Sequence, residues 1–365
     1  MKQLLIAAVL LVGGDDPGFT VHEWGTFTSL SDESTWQLEW RPLGGPSDLP
    51  GFVYGPKNAG RSPLEGKFGF STVRMETPVI YFYSDREREV SAKVLMPQGR
   101  ITEWYPRATA VKQGGYDWGK IQVLPKSQAK LLHEGKPSHY YPAREVDAAT
   151  LRVGTEHEKF LFYRGVGHFG LPLQARRYTD DTVILTPADA PVENVILFEN
   201  RGGKLGFTLI DRLTDKVKVE RPLLNQTMSG IRAELERALL NQGLYPKEAS
   251  AMLETWKDTW FEEGLRAFYI VPRKTTDQLL PLEIKPAPKA TVRVLVGRAE
   301  ILTPAFEAKV EAVVDRLNSD DIAERQAAVV DLKKLGRFAH PVLRRLHASL
   351  KNKESMARVT DVLYR

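Results

Sequence analysis

The sequence predicts a mainly β protein: a large antiparallel, sandwich-like β domain with an inserted α-helical hairpin and a C-terminal α-helical tail. Three observations carry this expectation. Between residues 19 and 225, short aromatic and β-branched segments alternate with clusters of Gly, Pro, Asp and Asn, the pattern of strands and turns. No helical periodicity separates these segments, which favours a sandwich or barrel over an α/β sheet. Two blocks then switch to apolar spacings of i, i+3, i+4 and i+7, at residues 226–264 and beyond residue 304. The expected organisation is a signal peptide at 1–14, a β-rich domain at 15–304 interrupted by the hairpin at 226–264, and a helical segment at 305–365.

In chain order, Lys2 followed by the apolar run 4–12, with Val12 and Gly14 as the small residues before a cleavage site, has the layout of a secretory signal. The run is too short for a stable membrane anchor, and no later stretch is long and apolar enough to be one. Residues 19–30 form the first expected strand. Residues 43–67, rich in Gly and Pro, read as a long loop. Residues 68–83 end in Val79-Ile80-Tyr81-Phe82-Tyr83, a strand buried on both faces, with Pro78 at its first residue or at a bulge. Strands follow at 89–96, 99–106, 118–124 and 156–164. Gly165-Val166-Gly167 marks a bulge or the close approach of another backbone. Strands at 182–187, 192–199 and 205–212 complete the series. In the hairpin, Ile231, Leu235 and Leu239 share one face, Gly243 is a C-terminal cap and Pro246 opens the second helix. That helix carries Trp256 and Trp260 toward the core and Glu254, Asp258 and Glu262 as an acidic, solvated stripe. Strands return at 267–271 and 291–296, so the hairpin is an insertion within one domain.

Composition narrows the function. The absence of cysteine excludes disulfides, thiol nucleophiles and Cys-ligated metals. A formal charge of +5 is dispersed along the chain, without the basic cluster of a nucleic-acid binder. No Gly-x-Ser-x-Gly elbow and no phosphate-binding glycine loop is present.

The motifs His22-Glu23-Trp24-Gly25-Thr26-Phe27-Thr28, Arg74-Met75-Glu76-Thr77-Pro78, Thr102-Glu103-Trp104-Tyr105-Pro106 and Trp260-Phe261-Glu262-Glu263-Gly264 together resemble an uncharacterised family of exported bacterial proteins. The stretch from Leu317 to Leu346 resembles a HEAT-like helical repeat, of the kind common as tails in planctomycete-type bacterial proteins. The resemblance implies export, to the periplasm or the medium, and a shared fold; it transfers no catalytic residue. A repeat this short must dock on the β domain, fray or pair with another protein.

Two chemistries are open to the β region. Glu23, Glu76 and Glu103 sit among aromatic and apolar neighbours, where a raised pKa would suit a general acid, and paired carboxylates beside aromatic rings would suit glycoside cleavage. The competing reading is internal pairing with Arg74, Arg144 or Arg164. His22, His157 and His168 are candidate metal ligands. His22, Trp24, Trp104, Arg164 and His168 are candidate ligand contacts. The sequence assigns no cofactor. Its leading functional reading is an envelope binding or scaffold protein whose partner is a protein or a polysaccharide; the alternative is a hydrolase of envelope or extracellular polysaccharide. An extended strand places His22 and Glu23 on opposite faces, so which of them is buried becomes the deciding question.

Overall fold

The computed structural model describes residues 16–43, 49–55, 70–112 and 114–364. The proposed signal at 1–14 and most of the loop at 43–67 lie outside them. From the N-terminus the strands are β1 (Asp16–Ser31), β2 (Val73–Ser84), β3 (Arg88–Leu95), β4 (Gly99–Tyr105), β5 (Thr109–Val111), β6 (Gly115–Leu124), β7 (Thr150–Val153), β8 (Glu156–Glu158) and β9 (Leu161–Gly167). They continue as β10 (Leu173–Arg177), β11 (Thr182–Pro187), β12 (Val192–Arg201), β13 (Lys204–Leu213), β14 (Val217–Glu220), β15 (Gly264–Ile270), β16 (Leu282–Lys285) and β17 (Pro288–Ile301). The hairpin helices are α1 (Met228–Asn241), α2 (Pro246–Thr255) and the single turn α3 (Lys257–Trp260); α4 (Arg273–Leu279) follows β15. The tail comprises α5 (Pro304–Asp315), α6 (Ile322–Lys334), α7 (His340–Ser349) and α8 (Lys353–Tyr364). Among the described residues no helix is long and apolar enough to cross a membrane.

An eight-stranded sheet, in the order β13-β12-β15-β17-β1-β2-β9-β4, divides the molecule. One of its faces packs on a six-stranded sheet (β16-β3-β6-β7-β8, with β5 also paired to β6) and a three-stranded sheet (β10-β11-β14). Phe19, Val21, Ile80, Phe82 and Leu161 meet Val90, Ile121, Val123, Val183 and Leu185 there. The opposite face packs on the helical hairpin, with Trp24, Tyr81, Phe198 and Phe268 against Ile231, Leu235, Met252, Trp256 and Trp260. The expected sandwich is therefore present, and the hairpin covers its outer side.

The domain is mainly antiparallel, as expected; the exception is at the centre, where β1 and β17 run parallel from Thr20↔Ala290 to Ser31↔Ile301. Parallel neighbours need a long crossover, and nearly the whole β domain forms this one, so no local sequence signal marks it. The single strand expected at 156–164 is two. β8 pairs with β7 in the six-stranded sheet, whereas β9 lies in the eight-stranded one. The acidic stripe does not form either: the helix breaks at Trp256, Glu254 pairs with Lys257 and Arg232, and Glu262 pairs with Arg298.

Two sequence expectations have clear physical causes. Pro78 sits at a bulge within β2, where the β1–β2 register shifts between Trp24 and Thr26 and Thr77 takes φ +48°. Gly25 lies opposite, and a Cβ there would stand 2.9 Å from Pro78 Cα. Gly165 marks the close approach of β4: a Cβ would meet the Arg100 carbonyl oxygen at 2.5 Å. That atom is backbone and cannot rotate away. Gly165→Ala should therefore cost about 1–3 kcal/mol through overpacking, read as a lower midpoint in denaturant unfolding; an unchanged midpoint would show that the β4–β9 contact gives freely.

The tail docks on the β domain. Leu30, Trp40 and Leu302 enter one cluster with Val310, Val314, Leu332, Leu343, Val359 and Leu363. Arg345 reaches Asp32 at 3.3 Å and Glu307 at 3.2 Å. His340, at the start of α7, is buried in this region. Burial, helped by the positive charge of Arg41, pulls its pKa down to about 4. The unfolded chain takes up that proton near pH 6.5 and the folded chain does not, so stability should fall as pH drops from 6.5 toward 4, by roughly 3 kcal/mol in all. Thermal unfolding of wild type against His340→Asn tests this: the variant should lose that acid-side slope, and equal slopes would assign it to other groups.

Candidate functional site

The alternation of β1 is decided by burial. Glu23 points into the sandwich and is fully buried, whereas His22 and Trp24 point under the hairpin. Arg293, its neighbour across the parallel ladder, donates from Nε to Glu23 Oε2 at 2.5 Å, and the Tyr163 hydroxyl donates to Oε1 at 2.5 Å. Arg293 also donates from Nη1 to Asp277 Oδ1 on α4 at 2.8 Å. Burial disfavours the Arg293 charge, but the Glu23 carboxylate outweighs it and holds the guanidinium above its ordinary range. Burial, then the Glu23 charge, pushes the Tyr163 phenol well up, so it remains a donor. Glu23 is thus held through both oxygens in the interior, with no route to a substrate.

His22 is 3% exposed and meets Glu248, in the first turn of α2. Nδ1 lies 2.8 Å from Glu248 Oε2. Glu248 also accepts from the Tyr83 hydroxyl at 3.0 Å and from the Tyr245 backbone N–H at 2.7 Å, which closes the capping box of α2. The imidazole packs in a three-ring cluster with Tyr83 and Tyr245, at centroid distances of 5.1 and 4.4 Å, and the two phenol rings meet each other edge-on at 4.9 Å. This cluster pins the hairpin to the central strand.

Glu76 accepts from the Thr28 hydroxyl at 2.9 Å and faces Arg74 Nε at 3.1 Å and Arg337 Nη1 at 3.4 Å. Beside it Arg298 bridges Glu300 and Glu262, and Arg266 Nε lies 2.7 Å from Glu300. Arg144 grips Glu158 with two nitrogens, at 3.0 and 2.6 Å, and Tyr140 adds its hydroxyl at 2.9 Å. Glu103 is half-buried on β4, accepts from the neighbouring Thr102 hydroxyl and lies across the ladder from Arg164, which is buried.

The aromatic platforms are covered. Trp24 and Trp118 are buried. Trp104 stacks on Tyr116 at 3.9 Å and on Tyr54 at 6.2 Å, and the Arg107 guanidinium lies over the Tyr54 ring. The three histidines offered as metal ligands do not converge. His22 pairs in register with Tyr81, whereas Gly167, just before His168, pairs with Val73 on the same strand, roughly 26 Å away. His168 is exposed and its Nε2 lies 3.1 Å from the Phe70 carbonyl; His157 is in the other sheet, opposite Arg152. Among the described residues no group of three His, Cys, Asp or Glu is placed to hold a metal ion.

Sequence reasoning named Arg74 and Arg144 as partners but not Arg293, Glu248 or Tyr163. The Arg293 signal was legible: one arginine flanked by Val292 and Val294 in a strand buried on both faces. No protein-family model matches the chain, and a search of curated proteins finds no match.

Arg293→Met should leave Glu23 as an uncompensated buried charge and cost about 3–5 kcal/mol. The double variant Glu23→Gln with Arg293→Met should cost much less than the sum of the two singles. Denaturant unfolding of all three measures the coupling, and additive losses would remove it.

Proposed function

We propose that the chain is an exported binding or scaffold protein of the cell envelope, and that its β domain is a rigid frame without an acid–base pair of its own. One observation carries this reading: among the described residues the buried carboxylates are all engaged. Glu23, Glu76, Glu158, Glu199 and Glu300 each contact an arginine, Asp32 contacts Arg345 and Glu248 contacts His22. Glycoside cleavage uses two free carboxyl groups across one bond. Of the three candidates Glu103 alone has no arginine contact among the described residues, and one carboxyl group is insufficient. Export is supported by the apolar run at 4–12 behind Lys2. The tail supplies a contact surface of its own. Its inner side is occupied by the β domain, while α6 presents Ile322 and Val330, 60% and 51% exposed, to solvent.

The full chain, expressed with its first 14 residues, should be recovered outside the cytoplasm and should co-purify with envelope material. Ile322→Asp with Val330→Asp should reduce that recovery at unchanged unfolding midpoint. Reducing-sugar release from envelope polysaccharide should stay at background. Turnover that disappears in Glu103→Gln would overturn the binding reading in favour of a hydrolase.

A further inference from the structure

We propose that the groove between the β12–β13 turn and the end of β14 binds a short zwitterionic peptide. It is a cleft of about 460 Å³ lined by Asp181, Thr182, Arg201, Lys204, Glu220, Arg221 and the segment 222–224. That volume lies within the roughly 300–1,000 Å³ of small-molecule sites.

The groove has a built floor. Glu199 is 1% exposed and accepts from Arg221 Nε at 2.9 Å and from Arg221 Nη2. Arg221 Nη1 donates to the Asp180 carbonyl at 2.9 Å. Each of the three guanidinium nitrogens is thereby held, so the floor cannot swing into the cleft. The rim is fixed as well. Gly206 of β13 packs so closely under the Leu223 carbonyl that a Cβ would stand 2.4 Å from its oxygen.

The walls carry opposite charge. Arg201 and Lys204 flank the Gly202-Gly203 turn on one side, where both glycines take positive φ. Arg201 touches Glu199 through Nε at 3.3 Å, and its two terminal nitrogens have no partner among the described residues. Lys204 has none there either. Asp181 and Glu220 stand on the other side, at the paired ends of β11 and β14 (Thr182↔Glu220), and their carboxylates are likewise unpartnered among the described residues. All four are exposed. Had these charges been placed only for solubility, interspersion would serve better than two facing walls. Leu223 is 80% exposed at the rim, an apolar contact beside the charged cleft.

A ligand that satisfies both walls carries a carboxylate toward Arg201 and Lys204, an ammonium toward Asp181 and Glu220, and an aliphatic side chain toward Leu223. A short peptide with free termini has all three. The inference shares with the proposed function only the premise that a ligand is bound and left unchanged.

The probe is trialanine, titrated into the full chain by calorimetry and by amide chemical shifts. Saturable binding should shift Gly202, Gly203 and Leu223. N-acetyl-trialanine amide, which lacks both charges, should bind at least about tenfold more weakly, and Lys204→Glu and Glu220→Lys should each weaken trialanine about tenfold. Both variants are at exposed positions, and an unchanged unfolding midpoint separates lost binding from lost structure. Absence of binding at millimolar trialanine, equal binding of the blocked peptide, or wild-type affinity in both variants would overturn the proposal. None of these results bears on export or on envelope recovery through α6, so the two readings fail separately.

Discussion

The parallel pairing of β1 with β17 is the constraint on which the rest of the structure depends. It joins the first and last strands of the β domain in the middle of the principal sheet, so every other strand of that sheet hangs on one side of the pair or the other. Closing so long a loop costs conformational entropy that grows only slowly with length, and the ladder itself offsets it by burial. Val21, Trp24, Phe27, Val294, Leu295 and Val296 are all buried. The Glu23–Arg293 pair adds register. A slip of one residue would turn the carboxylate to the hairpin face and leave the guanidinium alone in the sandwich. Such a pair is weak as a source of stability but strong as a penalty on misalignment.

The same logic explains why two layers cover the central sheet. With β1 and β2 buried on both faces, neither side can meet water. The six- and three-stranded sheets cover one side, and the hairpin covers the other. His22 shows how the second contact is made specific. An imidazole under a helix needs a partner, and Glu248 supplies it from the one helical position that also caps α2. One carboxylate therefore fixes the start of a helix and its place on the sheet.

Much of this was legible in the sequence, and the reason is local. The strand at β1, the bulge at Pro78, the glycines at the β4–β9 approach and the hairpin between Gly243 and Pro246 each rest on residues within a few positions of one another. Alternation alone placed His22 and Glu23 on opposite faces. What was not legible is long-range. Nothing near Glu23 announces that its partner is Arg293 rather than Arg74, Arg144 or Arg164, and nothing in β17 announces a parallel neighbour. The lesson for the site is similar. A carboxylate among aromatics resembles a general acid until its distant arginine is found, and then it becomes part of the frame.

The choice of cation carries the argument one step further. Among the described residues the buried cations are Arg74, Arg164, Arg177, Arg266, Arg293 and Arg298, and no lysine is buried. A guanidinium is less strongly hydrated than an ammonium, stays charged at any ordinary pH and engages a carboxylate with two nitrogens at once. It is the cation that tolerates the interior, and a buried glutamate paired with it has little freedom to reach a ligand. Lysines are left to the surface, where their contacts with Glu89, Asp147, Glu254 and Glu283 are exposed and exchangeable. Among the described residues the interior therefore takes arginine alone, whereas the surface carries both cations, as the exposed pairs Arg237–Glu234 and Arg273–Asp277 show. The His22-Glu23-Trp24 motif belongs to the frame, since both of its ionisable groups already have internal partners.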